Sequence, residues 1–244
     1  CVWLVFEISH VSKIRTLTVA GFRKHTRLTR VLKLKLDEHP FRYKAGQSAK
    51  IGVSGQEERK PFSIACSPES ARRDGFLEFL IGLNPSAKLG PHLRSIRKGA
   101  LVDLEGPIGS LRFPDQPSER HFLFVAGGTG IAPLRAMIQH VLFLRHHETV
   151  SVVYSVRSIE DFAFRAELQR LSNSRKIHFL LNVSGGSHQN LKSGQGRITI
   201  ERLSPMVRDP ATLCFLCGPP TMVADVSMIL ERLGISKKRI QREK

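Results

Sequence analysis

Three short stretches combine residue types and spacings that could do chemistry. In Ala126-Gly127-Gly128-Thr129-Gly130-Ile131-Ala132-Pro133-Leu134, glycines stand where a continuous apolar run gives way to helical spacing. Glycine lets a backbone approach a ligand closely, and the free N–H groups of a helix start attract phosphate. The same glycines would also serve a tight turn with no ligand, and the spacing is not the Gly-x-Gly-x-x-Gly fingerprint. The second stretch, Cys214-Phe215-Leu216-Cys217-Gly218-Pro219-Pro220-Thr221-Met222, closes another apolar run. Its Cys-x-x-Cys pair suggests zinc or redox chemistry. Within a strand, however, residues three apart face opposite sides, and no second pair completes four ligands. Cys214 is therefore assigned to the core, Cys217 to a strand end facing whatever binds, and no metal site is expected. The third stretch, Arg59-Lys60-Pro61-Phe62-Ser63-Ile64-Ala65-Cys66-Ser67, reads alone as a basic loop entering a strand.

The elements that must hold these stretches change character midway. Arg30 to Leu36 alternates with period two, as a half-buried strand does, and Ser48 to Val53, Phe76 to Ile81 and Leu101 to Leu104 are further short β-type runs. Gly, Pro, Asn and Ser clusters separate them, which predicts an antiparallel barrel or sandwich. Beyond Pro114 to Pro117 the pattern differs. Phe122 to Ala126, Val150 to Ser155, Ile177 to Val183 and Thr212 to Cys217 are apolar runs of strands buried on both faces. Helical spacing follows at Ile131, Leu134, Ile138, Val141 and Leu142, and again over Pro220 to Leu233. Ser158 with Asp161 resembles a helix cap, and Phe164, Leu168 and Leu171 continue on one face. Strands and helices taking turns mean a parallel sheet with helices on its faces. Gly185-Gly186-Ser187 and Ser193 to Gly196 read as a mobile loop, His146-His147 as a solvated helix end, and Phe162 and Phe164 as core.

Composition bounds the partners. The 244 residues hold 38 Lys plus Arg against 21 Asp plus Glu, a formal charge of +17. Charge of that sign admits nucleic acid, an anionic membrane or an acidic protein. It is spread along the chain, and no nucleic-acid module is recognisable, so nucleic acid is not the expected partner. No apolar run reaches the ~20 residues that span a bilayer. Val2 to Phe6 is apolar but stops at Glu7, a poor secretory signal. The chain begins at Cys1 rather than Met, as a segment of a longer product would. Four scattered cysteines do not make a disulfide framework, and a cytoplasmic, reducing setting is expected.

Taken together, the three stretches resemble the ferredoxin–NADP reductase family, from about residue 13 to the end. The resemblance implies two domains. An antiparallel flavin-binding β-barrel would span residues 13–115, and an α/β, Rossmann-like nicotinamide-binding domain residues 119–244, with residues 1–12 an extension of unassigned role. Lys60-Pro61-Phe62-Ser63 stands where the family has an Arg-x-Tyr-Ser type motif, so Lys60 replaces the usual Arg unless Arg59 takes its part. Gly46-Gln47 resembles the run before the flavin strand, and Lys88-Leu89-Gly90 the second flavin-phosphate stretch. Gly106 to Gly109 resembles the end of the barrel. Gly127 to Pro133 resembles the pyrophosphate loop, and Cys217-Gly218-Pro219-Pro220 the turn beside the nicotinamide.

The implied cofactors are FAD, with FMN the alternative, and NADPH or NADH as substrate. By the same resemblance Ser63, Cys217 and Glu243 are the catalytic candidates. Arg59, Lys60, Pro61, Phe62, Gly46, Gln47, Lys88, Leu89 and Gly90 belong to the flavin. Gly127, Gly128, Thr129, Gly130, Gly218 and Pro219 belong to the dinucleotide. Arg157 and Arg197 lie where an arginine would meet a ribose 2′-phosphate, which leans towards NADPH, although Glu160 and Asp161 argue the other way. No Cys-x₄-Cys-x₂-Cys spacing of a plant-type iron–sulfur module occurs. The implied acceptor is therefore a separate acidic carrier such as a ferredoxin or flavodoxin. The alternatives are a flavin-bearing subunit of a larger complex and a free-flavin reductase.

Overall fold

The computed structural model describes residues 14–36, 41–83, 93, 96–144, 148–185 and 194–243. Its first half contains β1 (Arg15–Lys24), β2 (Thr29–Lys35), β3 (Ser48–Val53), β4 (Lys60–Ser63), α1 (Pro68–Asp74), β5 (Phe76–Gly82) and β6 (Leu101–Ile108). The strands pair antiparallel in the order β4-β3-β6-β1-β2-β5. Just past β4, Ile64 bridges Phe79 of β5, and the Ala65 N–H donates to the Glu78 carbonyl at 2.7 Å. That contact joins the two edge strands and closes the sheet into a barrel. Period-two alternation works as expected on β2, where Leu32 and Leu34 are buried while Lys33 and Lys35 face out. Leu17, Ile51, Leu77, Phe79 and Leu104 complete that core. The alternation expected of a strand fails on β1 because a bulge between Val19 and Gly21 flips the faces midway.

The second half contains β7 (His121–Gly127), α2 (Ile131–Leu144), β8 (Thr149–Val156), α3 (Arg165–Asn173), β9 (His178–Val183), β10 (Gly194–Gln195), α4 (Ile200–Leu203), β11 (Leu213–Cys217), α5 (Pro220–Arg232) and β12 (Ile240–Arg242). All pairs are parallel, in the order β10-β9-β8-β7-β11-β12. The chain winds outward from β7 in one direction, then returns to lay β11 on its other side. Two expectations are corrected. Ser158 does not cap α3: its hydroxyl meets the Asp161 carboxylate at 3.3 Å over a short 3₁₀ turn. The helix waits until Arg165 because Phe164 adopts a left-handed φ of 55°. Residues 194–195, read as part of a loop, instead pair with Asn182 and Val183 as β10. The extension 1–12, Lys88-Leu89-Gly90 and His146-His147 lie outside the described residues.

The two halves are joined by a shared apolar cluster and by a largely buried cation. Ala45, Ala65, Leu111 and Phe113 of the barrel half join Met137, Phe122 and Phe215 in one core. Arg135, on the otherwise apolar first half of α2, reaches across. Its Nη1 donates to the Ala65 carbonyl at 2.6 Å and to the Glu78 carboxylate at 2.8 Å. Its Nε donates to Glu167 of α3 at 2.8 Å, and its guanidinium lies over the Phe164 ring at 4.2 Å. Burial opposes the Arg135 charge, yet Glu167 and Glu78 outweigh it and raise its pKa. Burial likewise acts to raise Glu78, but Arg135 and Lys33 together hold its carboxyl below the ordinary range. Alongside, the Phe164 amide donates to His25 Nε2 at 2.8 Å.

Two predictions follow from this interface. Arg135→Ala leaves two carboxylates without their shared cation and should cost about 3 kcal/mol in urea unfolding. A loss below about 1 kcal/mol would mean the carboxylates find other partners. For His25, burial first and Arg135 second hold the folded pKa below 6.5. The unfolded chain then binds the proton first, so stability present near pH 7 is lost as pH falls through about 6.5 towards the folded value. His25→Gln keeps an acceptor for Phe164 and should flatten melting temperature across that window.

Candidate functional site

The β7–β11 junction is where strand order reverses, and open α/β sheets bind ligands at the carboxyl ends of such strands. Both glycine stretches lie there. The β7 register pairs Ala126 with Cys217 of β11, so the two loops leave the sheet side by side. Their backbones touch. A Cβ on Gly130 would overlap the Cys217 carbonyl, and one on Gly127 would lie 2.7 Å from Met222 Sδ and Pro219 Cδ. Gly128 differs: it has a left-handed φ of 54° with open space where a side chain would go. Tyr154 fixes that turn by donating its hydroxyl to the Gly128 carbonyl at 3.0 Å. A cleft of about 500 Å³ opens beside the loops, and Gly127, Gly128, Arg157, Arg197, Pro219 and Asp225 are among the residues that line it.

At the end of β11 the cysteines separate as the strand period requires. Cys214 packs in the core on one face with Leu123 and Leu216, and Cys217 joins the opposite core with Phe124 and Phe215. Cys217 Sγ donates to the Glu243 carboxylate at 3.9 Å, because β12 runs parallel beside β11. Burial, then the Glu243 charge, pushes the Cys217 thiol up to about 12, so it stays protonated at neutral pH. That makes it a neutral, compact wall and a poor nucleophile.

On the barrel side, β4 presents Lys60 to Ser63 beside β3. Ser63 pairs with Ser48, the two hydroxyls 3.4 Å apart, and the Ile64 amide donates to the Gln47 carbonyl at 3.0 Å. Gly46-Gln47 thus abuts the end of β4. Gly46, at φ 100°, backs onto Met137 of α2, leaving no room there for a side chain. Phe62 and Ser63 are half-buried and Pro61 is exposed. Of the two candidate cations, Lys60 is paired with Glu58 at 2.8 Å, and Arg59 donates from Nη1 to the Glu57 carbonyl at 3.3 Å while its buried Nε has no hydrogen-bond partner. Half-buried Phe62 offers a bound flavin a ring to pack against, and the Ser63 and Ser48 hydroxyls a hydrogen-bonding edge, so the residues present fit the group.

What links the two motifs was not evident in the sequence. Arg135 sits four residues into the helix that starts at the Gly130 end of the loop, and it holds Ala65, two residues past Ser63. Gly82, the last residue of β5, faces the Thr129 methyl. The available signal was a single Arg in an apolar helical run. A second missed residue is Asn182, wholly buried on β9, which ties the Gly196 carbonyl to Arg202.

Comparison with known proteins agrees with this geometry. Residues 17–113 match the oxidoreductase FAD-binding domain family, and residues 124–228 the oxidoreductase NAD-binding domain family. The chain belongs to the ferredoxin–NADP reductase family of flavin- and nicotinamide-dependent oxidoreductases. It is 29% identical over 233 residues to a zebrafish (Danio rerio) oxidoreductase NAD-binding domain-containing protein 1, covering 87% of this chain and 85% of that one. It is 26% identical to the ferredoxin–NAD(P)(+) reductase component of a Pseudomonas putida naphthalene 1,2-dioxygenase system, covering 96% and 69% respectively. A ferredoxin NADP⁺ reductase structure from Neisseria gonorrhoeae, with FAD and NADP bound, shares the fold with a TM-score of 0.80 at 20% identity, over 95% of this chain and 98% of that one. The chain spans only 20% of a matched Volvox carteri nitrate reductase and 56% of an Ajellomyces capsulatus NADH-cytochrome b5 reductase 2. Among the described residues, no helix is long and apolar enough to cross a membrane.

The loop contacts set a paired test. Gly130→Ala drives a methyl into the Cys217 backbone and should cost roughly 2–3 kcal/mol in chemical unfolding. Gly128→Ala meets only its φ penalty, about 1 kcal/mol. Equal losses at both positions would show that close approach of the loops is not what Gly130 provides.

Proposed function

We propose that this chain is an NAD(P)H-dependent reductase that uses FAD and passes electrons to an external acidic carrier protein. The observation that carries the reading is that Arg135, on the helix that follows the Gly127 to Gly130 loop, bonds the Ala65 carbonyl just past β4, while the Cys217 to Pro219 turn packs against the same loop. A bound flavin would supply the redox chemistry, taking hydride from the nicotinamide ring and releasing electrons singly or as a pair.

The chain's own task is positioning and exclusion of water. Phe62 would pack a flat ring, and Ser63, held beside Ser48, would hydrogen-bond its reactive edge. Arg59, with Gly46 and Gln47 at the strand end, would hold the polar remainder. On the other side, the N–H groups of Gly127 to Gly130 would hold pyrophosphate at the start of α2. Cys217, kept protonated, and Glu243 would wall the nicotinamide side. Arg157 and Arg197 would meet a 2′-phosphate at the far end of the cleft, which supports a lean towards NADPH. An acidic carrier suits the net charge of +17, since complementary fields act chiefly on association rate. A Pseudomonas putida relative named as a dioxygenase-system component supports an electron-carrier or enzyme partner of this kind. Free thiols at Cys66, Cys214 and Cys217 accord with a reducing compartment such as the cytoplasm.

Two measurements test this. Arg157→Ala should lower kcat/KM for NADPH about tenfold more than for NADH. Equal losses would remove Arg157 from phosphate recognition. Electron transfer to an acidic carrier should slow steeply as salt rises through about 0.1 M, where the Debye length is ~10 Å. A flat salt response with faster turnover on free flavin would instead identify a flavin reductase.

A further inference from the structure

We propose that Asp225 sets how strongly the cleft discriminates between a phosphorylated and a free adenosine ribose, by acting as the resident counter-ion of Arg197. The proposal rests on the nucleotide reading of that cleft. Among the described residues, its lining carries three charged side chains, Arg157, Arg197 and Asp225. Asp225 projects from α5 and pairs with Arg197 Nη1 at 3.3 Å. No sequence motif marks it.

The pair is built so that the backbone is fixed and the charge is free to choose. Asn182, fully buried, donates to the Gly196 carbonyl at 2.8 Å and accepts from Arg202 at 2.7 Å, while the Gly196 amide donates to the Val183 carbonyl at 3.0 Å. Residue 197 is thereby held at the cleft rim. Its side chain is 87% exposed and that of Asp225 40%. An exposed pair of this kind is weak and readily exchanged. A 2′-phosphate offers the guanidinium a doubly charged, fork-matching partner and can displace the carboxylate. Asp225 then remains in the cleft as a like charge facing the phosphate, which opposes the gain. With a free ribose the balance reverses, because a carboxylate accepts hydrogen bonds from ribose hydroxyls. Asp225 therefore favours NADH and restrains the preference that Arg157 and Arg197 confer on NADPH.

The test uses the full chain and two probes, 2′,5′-ADP and 5′-AMP, with calorimetry as the readout, so that flavin loading does not enter. Asp225→Asn should tighten 2′,5′-ADP relative to 5′-AMP by about three- to tenfold, and the kcat/KM ratio of NADPH to NADH should move the same way. In an Arg197→Ala background the gain should shrink to less than half. A change common to both probes, no change in either, or a gain that survives in full without Arg197 would overturn the role of Asp225. If wild type binds neither probe, the nucleotide assignment of the cleft falls first, and the proposal with it.

Discussion

A largely buried guanidinium shared between two half-chains is the constraint on which the remaining geometry depends. The two halves share an apolar cluster, but apolar contact alone is non-directional, and interfaces between domains commonly allow them to shift against one another. Arg135 restricts that freedom because its charge is largely withdrawn from water and is fully satisfied only when the barrel and α3 are both in place. Such a cluster adds little net stability over an apolar equivalent, but breaking one partner leaves costly unpaired charge. It therefore specifies one arrangement more than it strengthens it. Gln139 extends the clasp, accepting from the Ser67 amide at 3.0 Å and donating to Glu167 at 2.8 Å, and His140 contacts Glu69 at 3.1 Å. Arg135 and Gln139 lie one helical turn apart, with His140 beside Gln139, and this side of α2 grips the barrel half at Ala65, Ser67 and Glu69.

That arrangement matters because transfer between two bound rings tolerates little misplacement. The strand that would carry one ring ends at Ser63, two residues before Ala65, and the loop that would hold the other ligand begins the helix carrying Arg135. A single side chain spans them. The sheet topology does the rest: reversal of strand order between β7 and β11 opens a crevice, and glycines at 127 and 130 let the two loops touch. A glycine pattern can serve either a ligand or a tight turn, and here the close approach of the two loops accounts for Gly127 and Gly130. Gly130 is required by the Cys217 backbone, whereas Gly128 faces open cleft.

The parallel half was the more legible in sequence. Strands buried on both faces are continuous apolar runs, so β7, β8, β9 and β11 stood out within a residue or two. The opposite-face placement of Cys214 and Cys217 followed from strand period alone. The barrel half was less so. The bulge in β1 hides its alternation, and β4 is only four residues long. The start of α3 was misplaced because Phe164 makes a tertiary bond to His25, which no local pattern announces. Motif residues of the candidate site were named by resemblance, while Arg135, Asn182 and Asp225 were not named at all. Their partners lie at distant positions, and single polar residues in apolar or solvent-facing runs carry no spacing to read.

The most direct test of the account is anaerobic single-turnover mixing of flavin-loaded protein with NADPH or NADH, in wild type and in Arg135→Gln. Circular dichroism and retained flavin would first show that the variant is folded and loaded. The account predicts that wild-type flavin absorbance bleaches on mixing and that the variant bleaches at least about tenfold more slowly. Bleaching by neither nucleotide in the wild type, or an unchanged rate once the clasp is removed, would contradict it.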